Sequence, residues 1–451
     1  MATTTSVIDT LPQDWKYISE GGATIVFTYV GSPHPQYNGM VLRLRKSTIK
    51  RNTSSDQEDR GKEDELDNLS IEFQKKCIER LLPSEHLPRL ESTDVDRGWL
   101  EALNTLHDAE RPHERREKDH IDVTRKKAIL ATDLVGSEWL AVEIKPKWAF
   151  LPSSLHLSEA TRSVKTLTCR FCMHSHLRVR QGKVVSFGYC PLDLFSNDED
   201  RISKAIRALW DAWNDSNGTI NNLKIFKRGR LIQPSDVNSS EDLGAYNSNE
   251  EGLCDAFVSA LMPFLTGTPV LRILSGLQRT LDVLDIEGLS GLWCDAMSTP
   301  TSLTVDQSVG RTSNASLHLP VAPLGVSSDF WPSGIPTISD WTDFLNIYLS
   351  STSARPNQPE PVPENLRYYL LAYLLSATFK DCSIVIRPDP LSLKGHPTTV
   401  KPDRVMVIDL DPKSMHRLQR WEQLDQEIVQ AYLDVDKPKQ CIDGWSKLDF
   451  L

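Results

Sequence analysis

The sequence contains no run of about 20 consecutive apolar residues, the length that a bilayer-spanning helix needs, and no membrane partner is expected. Residues Met1 to Thr10 are small and polar, without a basic stretch leading into an apolar core. That argues against a secretory leader and makes the nucleus and/or cytoplasm the expected location. Cations are not in excess, since Lys+Arg 51 against Asp+Glu 61 leave a formal net charge of -10. Such a chain has no global cation surplus with which to displace the counterions of a nucleic acid, so no nucleic-acid partner is expected. No internal repeat is evident, and the eight cysteines are scattered. In a reducing compartment they read as free buried thiols and not as a disulfide framework.

What is present is a chain of 451 residues, 39% hydrophobic and 25% charged. That composition belongs to a globular protein, and the length implies two to four domains or lobes. The first segment reads as strand, turn, strand. Glu20-Gly21-Gly22-Ala23-Thr24 forms the turn, Ile25 to Val30 the next strand and Met40 to Lys46 a further one, on which Arg43 and Arg45 share a face with Val41. Ser47 to Asp67 are polar and densely charged and read as a loop. The spacing of Phe73, Cys77 and Leu81 predicts a helix from Ile71 to Leu82, and a basic stretch follows. Leu140 to Ile144 reads as a short strand that runs into Lys145-Pro146-Lys147, where proline ends regular pairing.

Further on, Asn197 is the expected N-cap of a helix carrying Ile202, Ile206, Leu209 and Trp213 on one face. A strand is predicted from Asn221 to Phe226, and helices around Asp255 to Leu265 and Val270 to Leu284. Residues 298–339, rich in Ser, Thr, Pro and Gly, read as a surface excursion, and Pro356 to Pro363 as a stiff linker. A helix from Leu366 to Phe379, strands at Cys382 to Ile386 and Val405 to Leu410, and a last helix from Ser414 to Leu433 complete the prediction.

Phosphoryl transfer asks a protein for cations on the phosphates, carboxylates to hold Mg²⁺, and one group to take the attacking hydroxyl's proton. The sequence offers all three. The glycine turn could bring backbone N–H groups to phosphates, although two glycines serve an ordinary tight turn equally well. Arg43 stands where nucleotide kinases place a phosphate-gripping cation, or is a solvated edge-strand arginine. Ile408-Asp409-Leu410-Asp411 ends an apolar strand with two carboxylates, fit to hold Mg²⁺; Asp411 could alternatively cap the last helix. Lys145 and Lys147 flank Pro146 on an extended segment and should project to one side. With Arg115, Arg170, Arg178, Lys413 and Arg417 they could surround a ligand bearing several phosphates.

Cys169-x-x-Cys172-x-His174-x-His176 invites a zinc assignment. Alternation along a strand would send Cys169 and Cys172 to opposite faces, and closed zinc sites usually draw on two separated pairs. The run therefore reads as core thiols on a strand.

Several segments, in this order, resemble the inositol-pentakisphosphate 2-kinases. They are Glu20-Gly21-Gly22-Ala23, Val41-Leu42-Arg43, Glu143-Ile144-Lys145-Pro146-Lys147, Arg170-Phe171-Cys172-Met173-His174, Pro191-Leu192-Asp193-Leu194-Phe195, Lys380-Asp381-Cys382-Ser383-Ile384 and Ile408-Asp409-Leu410. The resemblance implies an α/β (α+β) two-lobed kinase-like fold, with a nucleotide-side lobe at 1–140 and an enlarged inositol-phosphate and metal-binding lobe at 141–451. It implies ATP and Mg²⁺ as cosubstrates, an inositol polyphosphate as acceptor, and phosphorylation of the 2-hydroxyl of inositol pentakisphosphate to give inositol hexakisphosphate. A monomer is expected.

By motif, Asp381 would be the catalytic base and Asp409 the Mg²⁺ ligand. Gly21, Gly22, Ala23, Thr24, Arg43 and Glu143 would lie on the nucleotide side. Arg115, Lys145, Lys147, Arg170, Arg178, Asn221, Asn222, Lys413 and Arg417 would hold the inositol phosphate. Thr24 replaces the family's common Asn, and Trp421 stands where a tyrosine can contact phosphate. Plant members carry a mid-chain zinc site; here that stretch keeps Cys294 and His318 without a Cys-x-x-Cys pair, so no zinc is expected. Two alternatives are a catalytically silent inositol-phosphate-binding scaffold and a kinase of lower inositol phosphates. The absence of His-Arg-Asp and Asp-Phe-Gly segments disfavours an ordinary protein kinase.

Overall fold

The computed structural model describes residues 6–22, 24–48, 69–136, 140–186, 188–237, 250–298, 323–326, 330–351, 356–388 and 401–444. The fold is α+β and is organised by two antiparallel sheets. The first contains β1 (Trp15–Glu20), β2 (Thr24–Tyr29), β3 (Met40–Thr48), β4 (Leu90–Asp94), β5 (Asp119–Ile121) and β6 (Lys127–Thr132), in the order β1-β2-β3-β6-β4 with β5 paired to β3. The second contains β7 (Leu140–Ile144), β8 (Leu223–Lys227), β9 (Arg230–Ile232), β10 (Ser383–Ile386) and β11 (Val405–Ile408), in the order β11-β10-β7-β8-β9.

The principal helices are α1 (Arg97–His107), α2 (Arg170–Arg180), α3 (Glu199–Asp215), α4 (Glu250–Thr266), α5 (Val270–Leu281), α6 (Asp285–Ser298), α7 (Ile338–Tyr348), α8 (Leu366–Asp381) and α9 (Leu418–Leu433). Among the described residues no single helix is long and apolar enough to cross a membrane.

Each sheet has its own core. Trp15, Ile25, Phe27, Leu42 and Leu44 alternate inward from β1–β3 and meet Trp99, Leu100 and Leu103 of α1. The larger core gathers α3–α8 against the second sheet. Within it α8 is buried nearly all round, from Leu366 to Lys380, which is how a helix behaves when others pack on every side. Its C-terminal residue, Asp381, therefore emerges from a rigid rod.

At the end of β1, the Glu20 carboxylate is buried and accepts from Arg111 Nη2 at 2.8 Å. Lys46 and Asp119 complete that cluster. Buried paired charges of this kind fix geometry more than they stabilise, and here they anchor the strand end that leads into the glycine turn.

Several sequence expectations are corrected. The run Arg170 to Arg180 is a helix, not a strand, and Cys169 is its N-cap residue. The N-cap of α3 is Asp198, whose side chain accepts from the Arg201 N–H, while Asn197 occupies a left-handed turn with φ 59°. The helix predicted to Leu82 occupies 69–76 and gives way to a 3-10 turn at Ile78–Arg80. Most of the 298–339 excursion lies outside the described residues, but Leu324 and Trp331 sit in the core. The proline-rich segment is tied down, with Tyr368 and Tyr369 hydroxyls donating to the Asn357 and Pro359 carbonyls. The predicted loop from Ser47 to Asp67 falls almost wholly outside the described residues.

Candidate active site

Between the two sheets lies a cavity of about 580 Å³. One part is apolar, with Val26 and Val41 from the first sheet opposite Phe226 and Val407 from the second. The other part is polar and holds the glycine turn, Arg43, Glu143, Lys145, Asp409 and Asp411. The Gly21 N–H donates to the Thr24 carbonyl at 2.8 Å, closing the turn. A Cβ added at Gly21 or Gly22 would meet nothing within 4 Å. Packing therefore does not demand glycine at either position; the missing side chains leave the backbone open to whatever enters the cavity. Ala23 lies outside the described residues. Arg43 faces Val26 across the β2–β3 ladder, and β3 also pairs with β6. It is thus a central-strand arginine, not an edge one.

The acidic end is set by strand register. Ser383 pairs with Ile408 across β10 and β11, so Asp409 follows directly beside Ser383. With φ 63°, Asp409 turns the chain out of the strand through a left-handed conformation, one that Asp adopts more readily than most residues. Its Oδ2 accepts from Lys145 Nζ at 3.0 Å and lies 3.1 Å from Ser383 Oγ. Ser383 Oγ is also 2.9 Å from Glu143 Oε1. One hydroxyl proton cannot serve two carboxylates at once, and lysines supply the remaining donors, Lys145 to Asp409 and Lys224 Nζ to Glu143 Oε2 at 3.2 Å. Burial pushes the Asp409 carboxyl up, but Lys145, Arg43 and Ser383 outweigh it and hold the group below its usual value. Oxygen ligands from one or two carboxylates opening toward phosphates are what Mg²⁺ takes, and Glu143 with Asp409 fits that pattern. Asp411 also lines the cavity and does not cap the last helix: Ser414 caps the 3-10 turn Met415–Arg417 by accepting from the His416 N–H, and Arg417 stands at the N-cap of α9 without a side-chain cap bond.

A second cavity, of about 420 Å³, is lined by Asp381, whose carboxylate feels the charge of Lys145 in the first cavity. Among the described residues its lining includes six cations, Lys147, Arg170, Arg178, Lys380, Lys413 and Arg417, against a single carboxylate, Asp381. Asn221, Asn222, His174 and Trp421 also line it. Arg170 and Arg178 project from α2 at a spacing of eight with His174 between, so two helical turns supply one wall. These cations, together with burial, keep His174 neutral by pulling its pKa down to about 4; burial is the larger cause. Asp381 sits between two ammonium groups, Lys147 Nζ at 3.4 Å and Lys413 Nζ at 3.1 Å. Partial burial raises its carboxyl, but Lys413, Lys147 and Lys145 hold it below the ordinary value, so it is ionised at neutral pH.

The segment carrying the two lysines is pinned by an amide that sequence reasoning missed. Gln278, fully buried on α5, accepts from the Ala149 N–H at 2.9 Å and donates to the carbonyls of Lys147 and Phe379 at 3.1 and 3.0 Å. It ties the lysine segment to the end of α8 and so to Asp381. Lys147 has φ 69°, and this turn corrects one expectation. Lys145 and Lys147 do not project to one side; Lys145 lines the first cavity and Lys147 the second.

Asn222 accounts for part of the same framework, donating to the Lys145 carbonyl at 3.1 Å. Buried Lys380 is paired with Asp282 and lies 3.9 Å from the Trp148 ring centroid; only burial data could have revealed it. Arg170 donates to Asp425 at 2.6 Å, so it is braced from behind. Arg115 is the exception among the predicted site residues, being exposed near β5 and lining neither cavity.

An α+β fold with a glycine turn and carboxylates around one cavity, and a cationic cavity beside it, has the parts that a kinase uses. The family model described as inositol-pentakisphosphate 2-kinase matches residues 17–427. An inositol-pentakisphosphate 2-kinase of Cryptococcus neoformans is 32% identical over 442 residues, covering 94% of this chain and 95% of the relative. Those of Arabidopsis thaliana and Danio rerio are 27% and 26% identical, each match covering 93% of both chains. The chain belongs to the inositol-pentakisphosphate 2-kinase family.

Proposed function

We propose that this enzyme transfers the terminal phosphoryl group of ATP to the 2-hydroxyl of inositol 1,3,4,5,6-pentakisphosphate, giving inositol hexakisphosphate and ADP. The observation that carries the reading is the second cavity, where among the described residues Lys147, Arg178, Lys413 and Arg417 line the wall with the braced cations Arg170 and Lys380, against the one lining carboxylate Asp381, in a chain of net charge -10. Such a surplus repels nothing but cations and suits an acceptor that already bears several phosphates. ATP belongs in the first cavity, with its base on the apolar part and its phosphates toward the glycine turn, Arg43 and Lys145. The first sheet and residues to about 140 then form the nucleotide-side lobe, and the remainder forms the acceptor lobe.

In this reading Asp381 accepts the proton of the attacking hydroxyl. A bond forms between that oxygen and the terminal phosphorus while the bond from phosphorus to the bridging oxygen breaks, and ADP leaves. Lys145 and Arg43 hold the phosphate oxygens; Lys147 and Lys413 hold the acceptor's phosphates on either side of Asp381. Glu143 and Asp409 would hold Mg²⁺, which when bound neutralises charge on the nucleotide's phosphates.

Incubation of the full chain with ATP, Mg²⁺ and a panel of inositol phosphates tests the proposal. The expected product is inositol hexakisphosphate from the 1,3,4,5,6-pentakisphosphate, identified by isomer-resolving chromatography. No transfer at all, or transfer confined to lower inositol phosphates, would overturn it. Lys147→Ala is expected to weaken inositol-pentakisphosphate binding about tenfold or more, the loss of a charge-assisted hydrogen bond. ATP affinity should change far less, because Lys147 does not line the first cavity. Alanine keeps the Cβ and meets the same left-handed backbone as lysine, so the loss comes from the side chain beyond Cβ and not from backbone strain. Equal losses for both ligands in a calorimetric titration would count against the assignment.

A further inference from the structure

We propose that Asp443, on the segment beyond α9, is a positioning residue for the acceptor, because it holds the stretch of backbone from which Lys147 enters the second cavity. This rests on the reading of that cavity as the inositol-phosphate site.

Residues 147–151 follow β7 and belong to neither sheet, yet Ala149 and Phe150 are buried. Buried backbone N–H and C=O groups must find partners, and here side chains stand in for a neighbouring strand. Ser275, Gln278 and Arg279 have the i, i+3, i+4 spacing that shares one face of α5. Ser275 Oγ donates to the Ala149 carbonyl at 3.4 Å, and Gln278 serves the Ala149 N–H and the Lys147 carbonyl. Arg279 lies over the Phe150 ring, 5.7 Å from its centroid. A guanidinium has donors only, so Arg279 cannot receive the next inward N–H, that of Leu151. Asp443 supplies the acceptor. Its Oδ2 accepts from the Leu151 N–H at 3.0 Å, and Arg279 Nη2 stands 2.6 and 2.7 Å from its two oxygens. With its side chain 7% exposed, the carboxylate is shielded enough for this pairing to fix geometry.

The segment that delivers Asp443 is docked by polar bonds from three helices. The Lys439 N–H donates to Tyr432 Oη of α9 at 2.8 Å, and the Lys439 carbonyl accepts from Thr168 Oγ1 at 2.6 Å, just ahead of α2. The Cys441 N–H donates to the Leu167 carbonyl at 2.8 Å, and the Ile442 carbonyl accepts from Arg201 Nη2 of α3 at 2.7 Å. The Ile442 side chain is 68% exposed, so its burial does not set the course of the chain; the backbone bonds do, and they aim the next residue at Leu151. Four residues before Leu151, Lys147 sits at φ 69°. A lysine keeps a left-handed conformation only where its surroundings over-determine it. Freeing the Leu151 N–H removes one of those constraints and lets the Lys147 ammonium drift from its place beside Asp381, 3.4 Å away.

In the full chain, Asp443→Ala is expected to weaken inositol-pentakisphosphate binding about tenfold in a calorimetric titration without ATP, the loss of one oriented cation. ATP affinity should stay within about twofold, as for sites without shared partners. Asp443→Asn, whose amide oxygen still accepts from the Leu151 N–H, should recover most of the loss. Hydrogen exchange across residues 147–151, followed by mass spectrometry with no ligand present, should quicken about tenfold in Asp443→Ala and only slightly in Asp443→Asn. If Asp443 acts through Lys147, Asp443→Ala should cost little further acceptor affinity once Lys147 is replaced by alanine. Equal losses for ATP and acceptor, additive losses in that double variant, or unaltered exchange would overturn the proposal. Should Asp443→Ala fail to fold, Arg279→Met carries the same expectations, since it takes away the guanidinium that holds the Asp443 carboxylate in place. An unaltered chain that binds no inositol pentakisphosphate would sink the proposed function instead, and hydrogen exchange would still decide whether Asp443 holds the segment.

Discussion

Asp409→Asn is expected to lower kcat at least about a hundredfold, while inositol-pentakisphosphate affinity stays near that of the unaltered enzyme. A metal-binding carboxylate contributes to a transition-state stabilisation worth several kcal/mol, and each 1.4 kcal/mol or so is a factor of ten. The substitution keeps the side chain's volume, and asparagine tolerates the left-handed backbone at φ 63° at least as well as aspartate. The fold should therefore survive, which an unchanged thermal midpoint would verify. Acceptor binding should be spared because Asp409 lines the first cavity and not the second. Steady-state kinetics beside a calorimetric titration make the comparison; turnover like that of the unaltered enzyme would remove Asp409 from the mechanism.

Asp381→Asn is expected to lower kcat by about 10²–10⁴, the range for loss of a general base, with affinity for the acceptor unchanged or tighter. The second effect has the opposite sign for an electrostatic reason. Among the described residues Asp381 is the lone carboxylate lining the second cavity, and removing it makes the cavity more attractive to a polyanion. Because Lys413, Lys147 and Lys145 overcome burial and hold its carboxyl below the usual value, no loss of rate from its protonation should appear between neutral pH and the ordinary carboxylate range. The same depressed pKa means its pairing contributes stability above that range, lost as pH falls through the lowered value. Weaker acceptor binding with unchanged kcat would make Asp381 a binding residue instead of the base.

Much of the fold was legible because local physics and tertiary packing agreed. The alternation in Leu42 and Leu44, with Arg43 between them, marks a strand with one apolar face, and β3 has it. The stripe Ile202, Ile206, Leu209 and Trp213 marks a helix, and α3 buries all four. Where they disagreed, the reading failed. Among the residues of α2, only Met173 is fully buried, because one face of the helix serves a polar cavity and lacks the apolar stripe that announces a helix. The spacing of Arg170, His174 and Arg178 was the available signal, a polar stripe at helical period. Gln278 left none, since nothing in a sequence marks a buried amide that bridges three backbone groups far away along the chain.

The order of short motifs along the chain was enough to determine the family and the types of group available for the chemistry, and it singled out Asp381 and Asp409 as the carboxylates to be proposed for its acidic centre. These depend on residue identity, which the chain carries locally. The tertiary structure decided which cavity each cation serves, that Arg115 stands apart from both, and that the sulfurs of Cys169, Cys172, Cys190 and Cys441 meet within 4.8 Å of one another. Those are facts of distance, and distance between remote residues is set by how sheets and helices pack against one another.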